Sequence, residues 1–193
     1  MENTSTRVVL KNVRLSYEHV WEPKPTTNGD LKYSASLIFP KTDKANLARI
    51  KSAVEAAKEA GKSKLANKKG IIPSGIKMPL RDGDERGDEA YDGCYFVNAN
   101  SSEDHPPKIV DRHVNPIMDR DEVYSGCYAN VSVNFFAFNT EGNIGIGCGL
   151  GNIQKIKDGE RLSGGASADE DFDDMGEGEE VGAADDDAAD LLG

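Results

Sequence analysis

Apolar residues recur along this chain at two different periods, and the switches between them mark out its elements. Residues 7–17 (RVVLKNVRLSY) read as a strand with Val13, Leu15 and Tyr17 on one face. Two prolines and an Asn-Gly pair punctuate residues 18–30, which predicts a loop carrying Trp21. Residues 31–39 (LKYSASLIF) alternate cleanly. Leu31, Tyr33, Ala35, Leu37 and Phe39 face one way, Lys32, Ser34 and Ser36 the other, so this strand is expected to cover a core and keep one side wet.

The period then lengthens. In TDKANLARIKSAVEAAKEAG, Leu47, Ile50, Val54 and Ala57 recur at three- and four-residue steps, with Thr42 or Asp43 able to cap the start and Gly61 the end. This is an amphipathic helix. Residues 62–81 follow with six basic residues and no acid, then an acidic turn (DGDERGDEAYDG) and short strands at CYFVNA and PKIVD. The run EVYSGCYANVSVNFFAFN alternates again. Cys127, Ala129, Val131, Val133 and Phe135 make its apolar face; Tyr128, Asn130, Ser132, Asn134, Phe136 and Phe138 make the other. After a TEGN turn, Ile144, Ile146, Cys148 and Leu150 answer on a partner strand whose second face, Gly145, Gly147, Gly149 and Gly151, is expected to be bare. Many strands with one capping helix predict a small closed or half-closed barrel. From Leu162 onward no apolar period survives, so the chain divides into a domain, 1–161, and a tail, 162–193, expected to be disordered.

Charge sharpens that division. Of 34 acidic residues, twelve follow Leu162 and no basic residue does, so the first 161 residues carry 23 basic side chains against 22 acidic ones. A near-neutral body joined to a strongly acidic segment is a two-part design. No leader-like or membrane-spanning apolar run is present, and the three cysteines are widely spaced among apolar neighbours. Both features predict a cytoplasmic protein with reduced thiols and neither a disulfide framework nor a zinc site.

Several chemistries fail on spacing. The glycine run sits at period two inside a strand, whereas a dinucleotide fingerprint needs G-x-G-x-x-G at a strand-to-helix turn; close backbone approach is the simpler reading. Asp111, His113, Asp119 and Asp121 could imitate a metal-dependent nuclease centre, yet they match no ligand spacing and read as a solvated loop. No Ser-His-Asp or Cys-His arrangement occurs, and no cofactor is implied. The basic residues are more suggestive. Lys62, Lys64, Lys68, Lys69, Lys77 and Arg81, joined by Arg14, Lys32 and Lys108, lie near Trp21, Phe136 and Phe138 in polar settings. Cations that track phosphates beside rings on which bases stack, each worth about 1–3 kcal/mol, make a sequence-tolerant single-strand site. The acidic tail then reads either as a solubility segment or as a mimic of the phosphate backbone, tethered at about millimolar effective concentration. If it is a mimic, its target is either the body's own groove or another protein's DNA site.

NVRLSY, KYSASLIFPKTD leading into the helix, MPLRDGDE, YSGCYANVSVNFFAFN and GLGNIQKIKDGERLSGG, in that order, resemble a family of phage single-stranded-DNA-binding proteins. The resemblance implies a five-stranded OB barrel, a cleft for single strands, no enzymatic activity, and roles in phage replication, recombination and repair. It also implies frequent homodimers and an acidic tail that competes with DNA and contacts replication proteins. Cellular and coliphage versions usually finish that tail with an aromatic residue. Here Asp185, Asp186, Asp187 and Asp190 precede Leu191 and Leu192, which stand in that place.

Overall fold

The computed structural model describes residues 5–162, so the acidic tail and its proposed docking residues Asp185 to Leu192 lie outside the described residues. In chain order the elements are β1 (Arg7–Pro25), β2 (Leu31–Pro40), α1 (Lys44–Ala60), α2 (Lys62–Leu65), β3 (Leu80–Asp82), β4 (Cys94–Ser102), β5 (Ile109–Val110), β6 (Tyr128–Thr140) and β7 (Asn143–Lys157). The sheet order is β3-β4-β2-β1-β6-β7-β5, and a parallel pairing of β4 with β7 at Asn100 and Gly149 closes it. Five long strands therefore form a barrel, mainly β as the periodicity requires. No helix among the described residues is long and apolar enough to cross a membrane.

The interior is the set of inward faces read from alternation: Val13, Leu15, Ala35, Leu37, Phe39, Ala129, Val131, Val133, Phe135, Ile146 and Cys148 are all buried. Helix α1 begins at Asp43, whose carboxylate accepts the Asn46 backbone N–H. It lays Ile50, Ala53, Val54 and Ala57 onto the same core. Asn46 is fully buried without being orphaned. Its Oδ1 accepts from the Lys11 backbone N–H at 3.0 Å and its Nδ2 donates to the Lys11 carbonyl at 2.8 Å, fastening the helix to β1.

Three expectations need correction. First, residues 18–25 are not loop: β1 runs on to Pro25. Its β6 partner stops at Arg14, so Pro23 and Pro25 occupy a stretch with one free edge, where a missing N–H costs no ladder bond. Second, Tyr17 does not join Val13 and Leu15 inside. Register shifts bracket Asn12 and Tyr17, whose φ angles of 53° and 45° break the alternation and turn Tyr17 out to 55% exposure. Third, the basic stretch 62–81 is not the plain solvated loop its composition suggests, because both of its ends are built into the barrel. Leu65 is fully buried, the Lys77 backbone bonds to Ile144 and Ile146 of β7, and Leu80–Asp82 pairs with β4. Residues 77–82 thus span the gap between β4 and β7 on the N-terminal side of the Asn100–Gly149 pairing.

Candidate nucleic-acid interface

Small polar side chains cover the outer face of β2 and β4. Register sets Lys32 opposite Ser102, Ser34 opposite Asn100 and Ser36 opposite Asn98, while Gly149 of β7 adjoins Asn100. The Ser36 hydroxyl donates to Asn98 Oδ1 at 2.7 Å. This face is only partly wet, contrary to the alternation. Ser36 is buried, and Ile38 packs with Tyr91 and Phe96 beneath the loop that follows β3.

That loop, residues 83–93, is held from within by its own acids. Asp82 accepts from the Asp84 backbone N–H at 2.9 Å, Asp88 from Ala90 at 3.1 Å, and Asp84 from Gly93 at 2.7 Å. Lys41 ties the loop to β2, with Nζ 2.7 Å from both Asp82 and Asp84. The Lys41 hydrogen bond holds the Asp82 carboxyl below its usual range, and the Gly93 N–H followed by Lys41 does the same for Asp84. The two carboxylates in turn raise the Lys41 ammonium well above its ordinary value. Gly83 has no room for a side chain, since a Cβ there would overlap the Tyr91 carbonyl oxygen.

The clamp presents Arg86, whose guanidinium lies 4.5 Å from the Tyr91 ring centroid, 4.8 Å from Tyr17 and 5.6 Å from Phe96. Arg86 borders a cleft of about 680 Å³ together with Lys77 and Arg81. Across β7 the glycine face is occupied, not bare. Phe136 is 44% exposed, and its ring rests on Gly147, where a Cβ would come within 2.6 Å of a ring carbon. Gly145 lies between Phe138, its β6 partner, and the Lys77 backbone.

The candidate residues therefore fall into groups. Lys77, Arg81, Phe136 and Phe138 gather around β7 and the closing segment, and Lys32 lines a recess beside Ser102 at the far end of the β2–β4 face. Lys62 and Lys64 sit on α2, where the Lys64 carbonyl accepts from Asn139 near the β6–β7 turn; Lys68 and Lys69 occupy an exposed turn built on Asn67. The others lie apart. Arg14 donates to the carbonyls of Gly126 (3.2 Å) and Glu160 (2.7 Å), Trp21 packs against the core with Nε1 donating to Val123, and Lys108 flanks β7 at Asn152. Asp111 and Asp119 accept backbone N–H groups of their own turns, and among the described residues no three His, Cys, Asp or Glu side chains are placed to hold a metal. Sequence reasoning missed Tyr17, Arg86, Asn98 and Asn100. A bulge hides the first, and an acidic segment masks the only arginine between Arg81 and Arg112.

Comparison with known proteins bears on the family and the fold. A family described as the ssDNA-binding protein of Enterobacter phage Enc34 matches residues 6–182. Protein p50 of Acyrthosiphon pisum secondary endosymbiont phage 1 is 31% identical over 183 residues, covering 90% of this chain and 96% of that protein. The single-stranded DNA-binding protein of bacteriophage Enc34, solved in complex with ssDNA, shares the fold at a TM-score of 0.70 and 23% identity. That match covers 82% of this chain and 90% of the other. Gp2.5, a single-stranded DNA-binding protein of bacteriophage T7, matches at a TM-score of 0.59 and 15% identity, over 83% of this chain and 97% of its own. The Enc34 and T7 proteins are both described as binding single-stranded DNA.

Proposed function

Because the chain belongs to the family of phage single-stranded-DNA-binding proteins represented by that of phage Enc34, we propose that it binds single-stranded DNA without sequence preference. The observation that carries this reading is the continuity of one face. The cleft bordered by Lys77, Arg81 and Arg86 runs onto the polar floor of Ser34, Asn98 and Asn100, with the exposed Phe136 ring across β7. Cations at the rim hold phosphates, and the rings accept bases of any kind, because every base has a π face. Held in this way, the strand is protected and organised for phage replication, recombination and repair in the host cytoplasm.

The acidic run after Leu162 is proposed to compete with DNA for these cations and, once displaced, to recruit replication proteins through Asp185–Asp187, Asp190 and the Leu191–Leu192 pair. Its charge supports this role, since twelve carboxylates with no cation imitate a phosphate chain. The working unit is proposed to be a homodimer. The test titrates fluorescent oligo-dT with the full chain and with a chain ending at Gly165, each at two salt concentrations. Tighter binding by the shorter chain, with a steep salt dependence, is expected. Absence of binding by both would transfer the function to the tail as a DNA mimic.

A further inference from the structure

The position of Tyr17 is costly for the barrel. Alternation would bury it beside Leu15, yet a φ of 45° turns it outward, a conformation that a bulky residue keeps only where its surroundings over-determine it. Those surroundings are specific. Arg86 stacks on the ring at 4.8 Å, and the Tyr17 hydroxyl donates to Asp88 Oδ2 at 3.4 Å on the clamped loop. Beside the ring is a recess of about 250 Å³ with Tyr17 and Arg86 on its walls and the outer surface of β2 and β4 as its floor. Its lining contains no carboxylate. Asn98 belongs to that floor with Oδ1 engaged by Ser36, while its Nδ2, a group that only donates, makes no hydrogen bond among the described residues.

A flat ring, an adjoining guanidinium and an outward amide donor make a chemically defined combination. It suits a planar, uncharged heterocycle that carries an acceptor on its edge and a phosphate nearby. We propose that this recess is a subsite for one unpaired nucleobase. The base lies against Tyr17, its edge accepts from Asn98, and Arg86 neutralises the neighbouring phosphate. Every base offers an edge acceptor, so the subsite is tolerant of sequence. A paired and stacked base cannot enter, so it reads single-strandedness. The inference rests on the reading that this face binds single-stranded DNA.

The test uses the full chain and two variants, Tyr17→Ser and Tyr17→Phe. Each is titrated into labelled oligo-dT and into an oligomer of equal length made of abasic deoxyribose phosphates. Tyr17→Phe keeps the ring and is expected to bind dT within about twofold of the wild type. Tyr17→Ser is expected to bind dT roughly 5- to 150-fold more weakly, the loss typical of one stacked base, with its affinity for the abasic oligomer unchanged. In the unaltered protein, an oligomer substituted with 5-bromodeoxyuridine should photocrosslink at Tyr17. Unchanged dT binding by Tyr17→Ser, an equal loss on both oligomers, or crosslinks confined to other residues would overturn the subsite. Failure of the wild type to bind either oligomer would instead overturn the DNA-binding reading on which the subsite stands.

Discussion

At position 147 a β-carbon would meet the end of the Phe136 ring at 2.6 Å, whereas at position 83 it would meet fixed backbone at Tyr91 and Cys94. The difference decides what each glycine is for. Phe136 can swing aside, so Gly147→Ala should fold with a melting temperature close to wild type yet lose the seated ring. Its affinity for oligo-dT should fall about as far as that of Phe136→Ala, by roughly 1–3 kcal/mol. Melting curves and dT titrations of the two variants check this; a Gly147→Ala protein that binds normally would show that the seat does not matter. Such pairings are barely legible in sequence. The period-two glycines announce a close approach, but only the register identifies Phe136 as the approaching group. Tyr17 is less legible still, because a single left-handed residue moves it to the opposite face without changing the pattern of residue types.

At the scale of elements, the segments with the strictest periods are the ones the sequence predicts well. Apart from Leu31, which is 39% exposed, the inward faces of β2, β6 and β7 and the stripe of α1 follow directly from alternation and from three- and four-residue steps. The closing segment 77–82 and the loop 83–93 escape that reasoning because backbone pairing and carboxylate caps hold them, not an apolar stripe. Asp82 and Asp84 of MPLRDGDE accordingly serve as fasteners for the loop that carries Arg86. Lys41→Met should loosen this loop, lower the melting temperature and weaken DNA binding through Arg86. The Lys41 ammonium and the loop's backbone N–H groups hold the Asp82 and Asp84 carboxyls below the ordinary aspartate range, so the stability they add is present above that range and is lost as pH falls through their depressed folded values. Melting temperatures measured from about pH 6 down to pH 2 should therefore fall less steeply for Lys41→Met than for the wild type. Parallel curves would mean that the clamp contributes nothing to folding.

For the whole molecule, net charge is a poor guide to the binding face. The first 161 residues balance 23 basic against 22 acidic side chains, yet Lys77, Arg81 and Arg86 border one cleft, and three of the nearby acids are spent on caps and on Lys41. Clustering of cations, not their excess, gives the protein its proposed affinity for a polyanion. The most direct measurement is the salt dependence of oligo-dT binding, by fluorescence anisotropy, for the full chain and for Lys77→Gln/Arg81→Gln. Each phosphate neutralised on a single strand contributes about 0.7 to the slope of log K against log salt. The wild type should bind with a steep slope, and the double variant should bind more weakly with a slope shallower by about 1.4. Identical slopes for the two proteins, or no binding by the wild type, would contradict the assignment of this face to single-stranded DNA.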